Sequence, residues 1–289
     1  MGPAILARNT PTSTGTWFEP TLATMESRDP VTTYSEQWRM VLTGADPSIP
    51  GRRRRHRLLP SDPRCKTCYS PFGGVGGWWM RRLGRTPWDK NPAFCTGCIE
   101  AFSSIGVGGA EVELSLLFAD VRGSTGLAER SSPATFSSLM NRFYEVAVET
   151  LVEHDGIVDK FVGDEAVGLF VPGMTGPEHA RKAVDAARKL VRRSGELVHE
   201  GRPLPVGAGV HTGIAFAGLV GKFGAELEFT ALGDAVNACA RLASMAGAGE
   251  VLVSDASARA AGLDTTGLER RSLALKGRTE PLDTFVIRA

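Results

Sequence analysis

At 289 residues with 42% hydrophobic side chains, the chain is long enough to bury one large core or two smaller ones. Its formal net charge of +1 says nothing about a partner, apart from one local basic cluster. No run of about 18 apolar residues is present, which argues against a membrane-spanning helix. The opening MGPAILARNTPTSTG lacks the charged and apolar blocks of a secretory signal, so a soluble, cytoplasmic protein is expected.

Residues 1–60 mix Pro, Thr, Ser and Gly around one short helix expected near YSEQWRMVL, too little to bury a core, and read as a flexible arm. The arm ends in GRRRRHR, bracketed by Pro50 and Pro60. With no apolar periodicity through it, Arg52, Arg53, Arg54, Arg55 and Arg57 are expected to form a solvated basic linker, a patch for nucleic acid or anionic lipid being the alternative.

Residues 61–105 hold four of the five cysteines and read as a small separate module. Cys65-x2-Cys68 and Cys95-x2-Cys98 are two knuckles of the spacing that gives a structural four-thiolate site, expected to hold one zinc ion per chain. Two disulfides do not suit a reducing compartment, whereas an iron-sulfur cluster is the alternative occupant of the same four thiolates. Trp78 and Trp79, beside Arg81, Arg82 and Arg85, are expected to be the module's core, because few other large apolar residues are available there; the alternative is an aromatic and basic binding surface. The fifth cysteine, Cys239, reads as buried packing.

From Glu111 onward strands and helices alternate. VELSLLFA reads as a strand. Ser132-Pro133 then supplies an N-cap and a first-turn proline for a helix with Phe136, Leu139, Met140, Phe143, Ala147 and Leu151 at helical spacing, ended by Gly156. IVDKFVGDEAVGLFV reads as a hairpin turning at Gly163-Asp164. An amphipathic helix over about 178–200 leads to the strand region PVGAGVHTGIAFAGLVG. A helix at DAVNACARLASMA, a strand EVLVS and a final strand pair around LKGRTEPLDTFVI complete the chain. This order fits an α+β fold, a sheet covered by helices.

Asp120 ends the first strand and Asp164 sits at the hairpin turn, so the two carboxylates are expected to converge at one sheet edge. There they would repel each other unless joined by a cation. Magnesium suits one or two carboxylates completed by water and phosphate oxygens. Gly123, Ser124 and Thr125 present backbone N–H groups at a helix start, where an anion is favoured. The outline is that of a metal and triphosphate pocket.

FADVRGST, DKFVGDE and ALGDAVNACARL, in this order, resemble the catalytic domain of class III nucleotidyl cyclases, the adenylate and guanylate cyclase family. The resemblance spans about residues 112–289, so 111–289 is expected to be a ferredoxin-like cyclase domain with an antiparallel-rich sheet. It implies that Asp120, Asp164 and the carbonyl of Val121 hold two Mg²⁺ or Mn²⁺ ions per active site. Lys160 matches a lysine that reads adenine, and Thr230 occupies the partner base-reading position. Asn237 and Arg241 match the pair that orients the ribose and stabilises the transition state; their i, i+4 spacing puts them on one helix face. Lys276 matches a lysine that contacts the terminal phosphates. The activity implied is conversion of ATP to cyclic AMP in a head-to-tail homodimer, the acids coming from one subunit and Lys160, Asn237 and Arg241 from the other. The alternatives are a guanylate cyclase and a nucleotide-binding regulatory protein whose zinc module and basic linker engage nucleic acid or another protein. A diguanylate cyclase, suggested by Gly163-Asp164-Glu165, would leave Lys160, Asn237 and Arg241 without a role.

Overall fold

The computed structural model describes residues 30–88, 91–221, 227–274 and 280–289. Helices α1 (Pro30–Thr43) and α2 (Ser48–His56) precede a cysteine-bearing stretch made of α3 (Gly74–Arg82), β1 (Pro87–Trp88), β2 (Asn91–Cys95) and α4 (Thr96–Ser104). The larger part follows as β3 (Gly108–Val121), α5 (Ser124–Arg130), α6 (Pro133–Glu153), β4 (Ile157–Val162), β5 (Glu165–Phe170), α7 (Pro172–Thr175) and α8 (His179–Gly195). Then come β6 (Val198–His199), β7 (Arg202–Pro203), β8 (Val206–Gly221), β9 (Leu227–Leu232) and α9 (Asp234–Met245). The chain closes with β10 (Glu250–Ser254), α10 (Asp255–Ala261), β11 (Glu269–Leu273) and β12 (Leu282–Arg288).

One sheet runs in the order β11-β12-β10-β8-β3-β5-β4, with β9 also paired to β8. Its pairings are antiparallel except β8 with β10. Strand β3 is central, and its alternation serves two layers at once. Leu117, Ala119 and Val121 join Leu139, Phe143 and Ala147 of α6 and Ala183, Ala187 and Leu190 of α8. Leu114, Leu116 and Phe118 meet Trp38 and Leu42 of α1 and Ala235, Cys239 and Ala243 of α9. A strand buried on both faces reads as a near-continuous apolar run, and Leu114 to Ala119 is one, broken only by Ser115, whose hydroxyl is hydrogen-bonded to that of Thr212. The α+β expectation therefore holds.

Local chemistry sets the boundaries. Ser132 caps α6 by accepting from the Thr135 amide at 3.2 Å, with Pro133 in the first turn. Helix α8 stops at Gly195, short of the expected 200, because Glu200 (φ 50°) and Gly201 (φ 75°) take the left-handed turn of the β6–β7 ribbon.

Three expectations for the first third of the chain are corrected. The flexible arm is not what residues 30–57 form. Trp38 is fully buried and α1 packs on the sheet; residues 1–29 fall outside the described residues. The basic run is not a solvated linker but helix α2, with Pro50 tolerated in its first turn. Arg53 donates through Nε to Thr67 O (2.8 Å) and through Nη2 to Lys66 O (2.9 Å), so the run braces the first cysteine knuckle. His56 Nδ1 lies 2.7 Å from Cys68 O. Trp78 and Trp79 are not the module's core: they are 53% and 54% exposed, and the buried cluster there is Phe72 with the four cysteines.

Candidate active site

The end of β3 and the β4–β5 turn come together in register. Asp120 pairs across the ladder with Glu165, and the Val121 amide donates to Asp164 O (3.3 Å). Gly163, at φ 61°, makes the turn that a side chain would strain, and the Tyr144 hydroxyl donates to its carbonyl. Asp120, Val121 and Asp164 thus share one end of the sheet, as expected. Gly123 (φ 69°) opens α5 beside them, with Ser124 and Thr125 in its first turn.

The sequence assigned no role to Arg122, and pointed to Glu165 only within the Gly163-Asp164-Glu165 triplet. The Arg122 guanidinium pairs with the Asp120 carboxylate, and its Nη1 donates to Ser244 O (2.8 Å), which ties the last turn of α9 to the acids. Burial, then the charge of Asp164, raises the carboxyl pKa of Glu165, with Arg122 only partly offsetting it. Burial is the larger cause, and the neighbouring Asp164 carboxylate adds to it. Three carboxylates around one guanidinium fit a divalent cation.

A second group forms where β9 folds back over the sheet face. Gly109 pairs with Gly218, and a Cβ on either would meet partner backbone at 2.2 Å, so the strands come closer there than any other residue allows. Beyond that point Phe229 stands 6.5 Å from Trp38, ring to ring. Thr230, 4% exposed, donates its hydroxyl to Asp159 Oδ2 at 3.1 Å. Lys160 Nζ lies 3.8 Å from the same oxygen and 3.9 Å from Glu228 Oε2. Lys160 and Thr230 are therefore brought together, through an acid that the sequence reading passed over. Neighbours in a regular strand point to opposite faces, but the β4–β5 register shifts between Val158 and Lys160, and this bulge lets Asp159 and Lys160 act on one side. The Asp159 side chain is only 5% exposed.

The third group is on α9, whose inner face is Ala235, Ala238, Cys239 and Leu242. Asn237 is exposed and Arg241 half-buried, one turn apart on the outer face. Lys276 lies outside the described residues.

The four cysteines of the module are all buried, with their sulfurs within 4.8 Å of one another. The Cys68–Cys95 and Cys65–Cys98 separations are 3.6 and 3.9 Å, against about 3.8 Å for the edge of a tetrahedron with metal–sulfur bonds of about 2.3 Å. Hydrogen bonding from Cys65 favours the Cys68 thiolate, while Cys65 and Cys98 are pushed up by their sulfur neighbours. Arg85 Nη1 stands 3.9 Å from Cys68 Sγ and 4.0 Å from Cys95 Sγ. Crowded thiols sharing protons beside a cation are the donor set a soft divalent metal completes.

Residues 110–289 match the family model described as the adenylate and guanylate cyclase catalytic domain. An uncharacterized protein of Mycobacterium tuberculosis strain H37Rv is 36% identical over 140 residues, covering 48% of this chain and 25% of that protein. A second uncharacterized protein from the same strain is 35% identical over 142 residues, again covering 48% of this chain and 25% of its own length. The chain therefore spans about a quarter of the length of these curated relatives. Among solved structures, the guanylyl cyclase Cya2 superposes with a TM-score of 0.58 at 25% identity, covering 62% of this chain and 93% of that one. The adenylyl cyclase CyaB from P. aeruginosa does so with 0.53 at 25% identity, covering 62% and 95%.

Proposed function

The chain belongs to the adenylate and guanylate cyclase catalytic-domain family, and on that premise we propose that it closes ATP to 3′,5′-cyclic AMP with release of pyrophosphate. The observation that carries ATP is the Thr230–Asp159 hydrogen bond. With its proton committed to Asp159, the Thr230 hydroxyl offers lone pairs, which accept the adenine 6-amino group. Lys160 donates to the adenine ring nitrogen. Guanine presents an oxygen acceptor where adenine has its amino donor, so this hydroxyl is oriented against it.

Asp120 and Asp164, with the Val121 carbonyl, would hold two Mg²⁺ or Mn²⁺ ions, whose charge supplies stabilisation of the attacking and departing oxygens. Arg122 positions the Asp120 carboxylate. Asn237 orients the ribose so that its 3′-hydroxyl faces the α-phosphorus, and Arg241 neutralises charge growing on the phosphoryl oxygens. Removing such a preorganised group costs about 10²- to 10³-fold in rate. The family resemblance assigns Lys276 to the terminal phosphates. Two copies of the chain, head to tail, complete the site, one giving the acids and the other Lys160, Thr230, Asn237 and Arg241. The four cysteines hold one structural Zn²⁺ per chain, an iron-sulfur cluster being the other fit for the same thiolates.

A second reading, a guanylate cyclase, draws on Glu228, whose carboxylate near Lys160 could accept the ring N–H and amino group of guanine. Purified chain incubated with ATP or GTP and Mg²⁺ or Mn²⁺, with the cyclic product identified by mass, tests both. Cyclic AMP is expected; turnover of GTP alone would establish the second reading.

A further inference from the structure

Helix α3 is built inside out. Its inner face is Gly76, Gly77 and Met80, all buried. A Cβ on Gly76 would meet Pro60 O, and one on Gly77 would meet Phe72 O, at 2.2 Å in each case, so the bare backbone packs against the module. The outer face, at i, i+3, i+4 and i+7, is Val75, Trp78, Trp79 and Arg82. Val75 is 77% exposed, both tryptophans are more than half exposed, and Leu83 just beyond them is 61% exposed. Leu58, 84% exposed, stands just before Pro60, whose carbonyl touches this helix. A protein rarely shows water such a run unless something covers it.

The charge of the stretch that carries this face says what would cover it. Residues 51–88 contain nine arginines and one lysine against the single acid Asp62, a net +9, while the whole chain is +1, so the remainder is net −8. Arg54, Arg55, Arg57, Arg81 and Arg82 are exposed. Four thiolates around a divalent ion carry −2 and leave the stretch strongly positive.

We propose that the outer face of α3, with the arginines around it, docks the module onto an anionic lipid surface. Tryptophan and arginine are suited to the headgroup level, where an indole has one end wet and one apolar. Each basic side chain near an anionic leaflet adds attraction that salt screens. Single-stranded nucleic acid would also meet aromatic and basic groups, but one face of Trp78 is already covered by the Arg82 guanidinium at 4.5 Å. Val75, Leu83 and Leu58 offer a base nothing to stack on, whereas all three gain by leaving water for the acyl boundary.

The test is flotation of the full, metal-loaded chain with phosphatidylcholine vesicles, with or without phosphatidylglycerol. Binding to the anionic vesicles is expected to be at least about 10-fold tighter than to the neutral ones and to weaken with salt. A blue shift of tryptophan fluorescence should accompany it. The double variant Trp78→Ser, Trp79→Ser should lose about 10-fold or more of the binding and the shift, while keeping module metal and turnover of soluble nucleotide. An Arg82→Glu variant should bind less well for its charge alone. Failure to bind anionic vesicles, or equal binding by the double variant, would overturn the proposal. So would a single-stranded oligonucleotide that binds more tightly than the vesicles and depends on the same tryptophans, which would make the face a nucleic-acid site.

Discussion

Replacing Asp159 with Asn keeps volume and shape but removes the charge that fixes the Thr230 hydroxyl. The bond is 3.1 Å long and lies between two side chains no more than 5% exposed, so water does not substitute for it. A hydrogen bond to a charged acceptor contributes about 1.5–3 kcal/mol and one to a neutral acceptor about 1 kcal/mol. The difference, about 0.5–2 kcal/mol, corresponds to a fall of about 2- to 30-fold in kcat/KM for ATP. GTP does not use Thr230 as an acceptor, so the ATP-to-GTP ratio should fall by a similar factor. Steady-state kinetics with both nucleotides measures it. Thr230→Val should cost about as much, and the double variant little more, because the residues act as one unit. Equal losses for both nucleotides in Asp159→Asn, with the ratio unchanged, would mean that Asp159 only holds the fold and that base choice is made elsewhere.

Asp120→Ala or Asp164→Ala should abolish cyclisation with an unchanged melting temperature, since both lie at the open end of the sheet; activity in either variant would remove the metal assignment. Mixing Asp120→Ala with Arg241→Ala chains should restore activity if sites are shared between copies, and its absence despite subunit exchange would place each site within one chain. Cys68→Ser should lose about one metal ion per chain by elemental analysis and expose residues 61–105 to protease; retention of metal would show that the CxxC pairs are not the ligands. Hydrogen bonding from Arg271 holds the Glu250 carboxyl down from an ordinary 4.5 to about 2. A lowered carboxylate stabilises the fold above the unfolded value and loses that contribution as pH falls through the folded one. The stability gap between the parent and Glu250→Gln should therefore be full above about pH 4.5 and close towards about pH 2, and a gap independent of pH would refute the pairing.

What the sequence made legible was local chemistry. The Ser132-Pro133 start of α6, the Gly163 turn and the two-faced β3 run each follow from a few neighbouring residues. The three motifs pointed to the family for the same reason, since each is a short strand, turn or helix start. Asp159 was not legible, because period-two alternation sends it away from Lys160 and only the bulge reverses that. The bracing by Arg53 was not legible because bonds to distant carbonyls at Lys66 and Thr67 leave no periodic trace. Trp78 and Trp79 misled the expectation because large apolar residues are ordinarily inside, while here glycine backbone fills the inner side. The tie between Arg122 and Ser244 spans most of the domain in sequence and could come only from the fold.

The contacts between the thiol cluster and the sheet differ enough in strength to say which one couples them. Lys66, between Cys65 and Thr67, reaches Asp155 at 2.8 Å, and Asp155 precedes β4, the strand that bears Asp159 and Lys160 and ends at the Asp164 turn. Lys66 is 48% exposed, however, and Lys182 holds the same carboxylate at 2.8 Å, so the Lys66 pair contributes at most about 1 kcal/mol and can bias β4 only slightly. Phe94 is 1% exposed and Phe102 7% exposed, and both pack in the cluster with Trp38, Leu114 and Leu116. Each contributes about 1.5–3 kcal/mol by burial. Phe94 is bonded directly to Cys95, a thiolate of the cluster. Freeing Cys95 would therefore loosen the larger of the two anchors, so a metal held by the four cysteines would act on the sheet through the packing of β2 and α4 rather than through the surface ion pair.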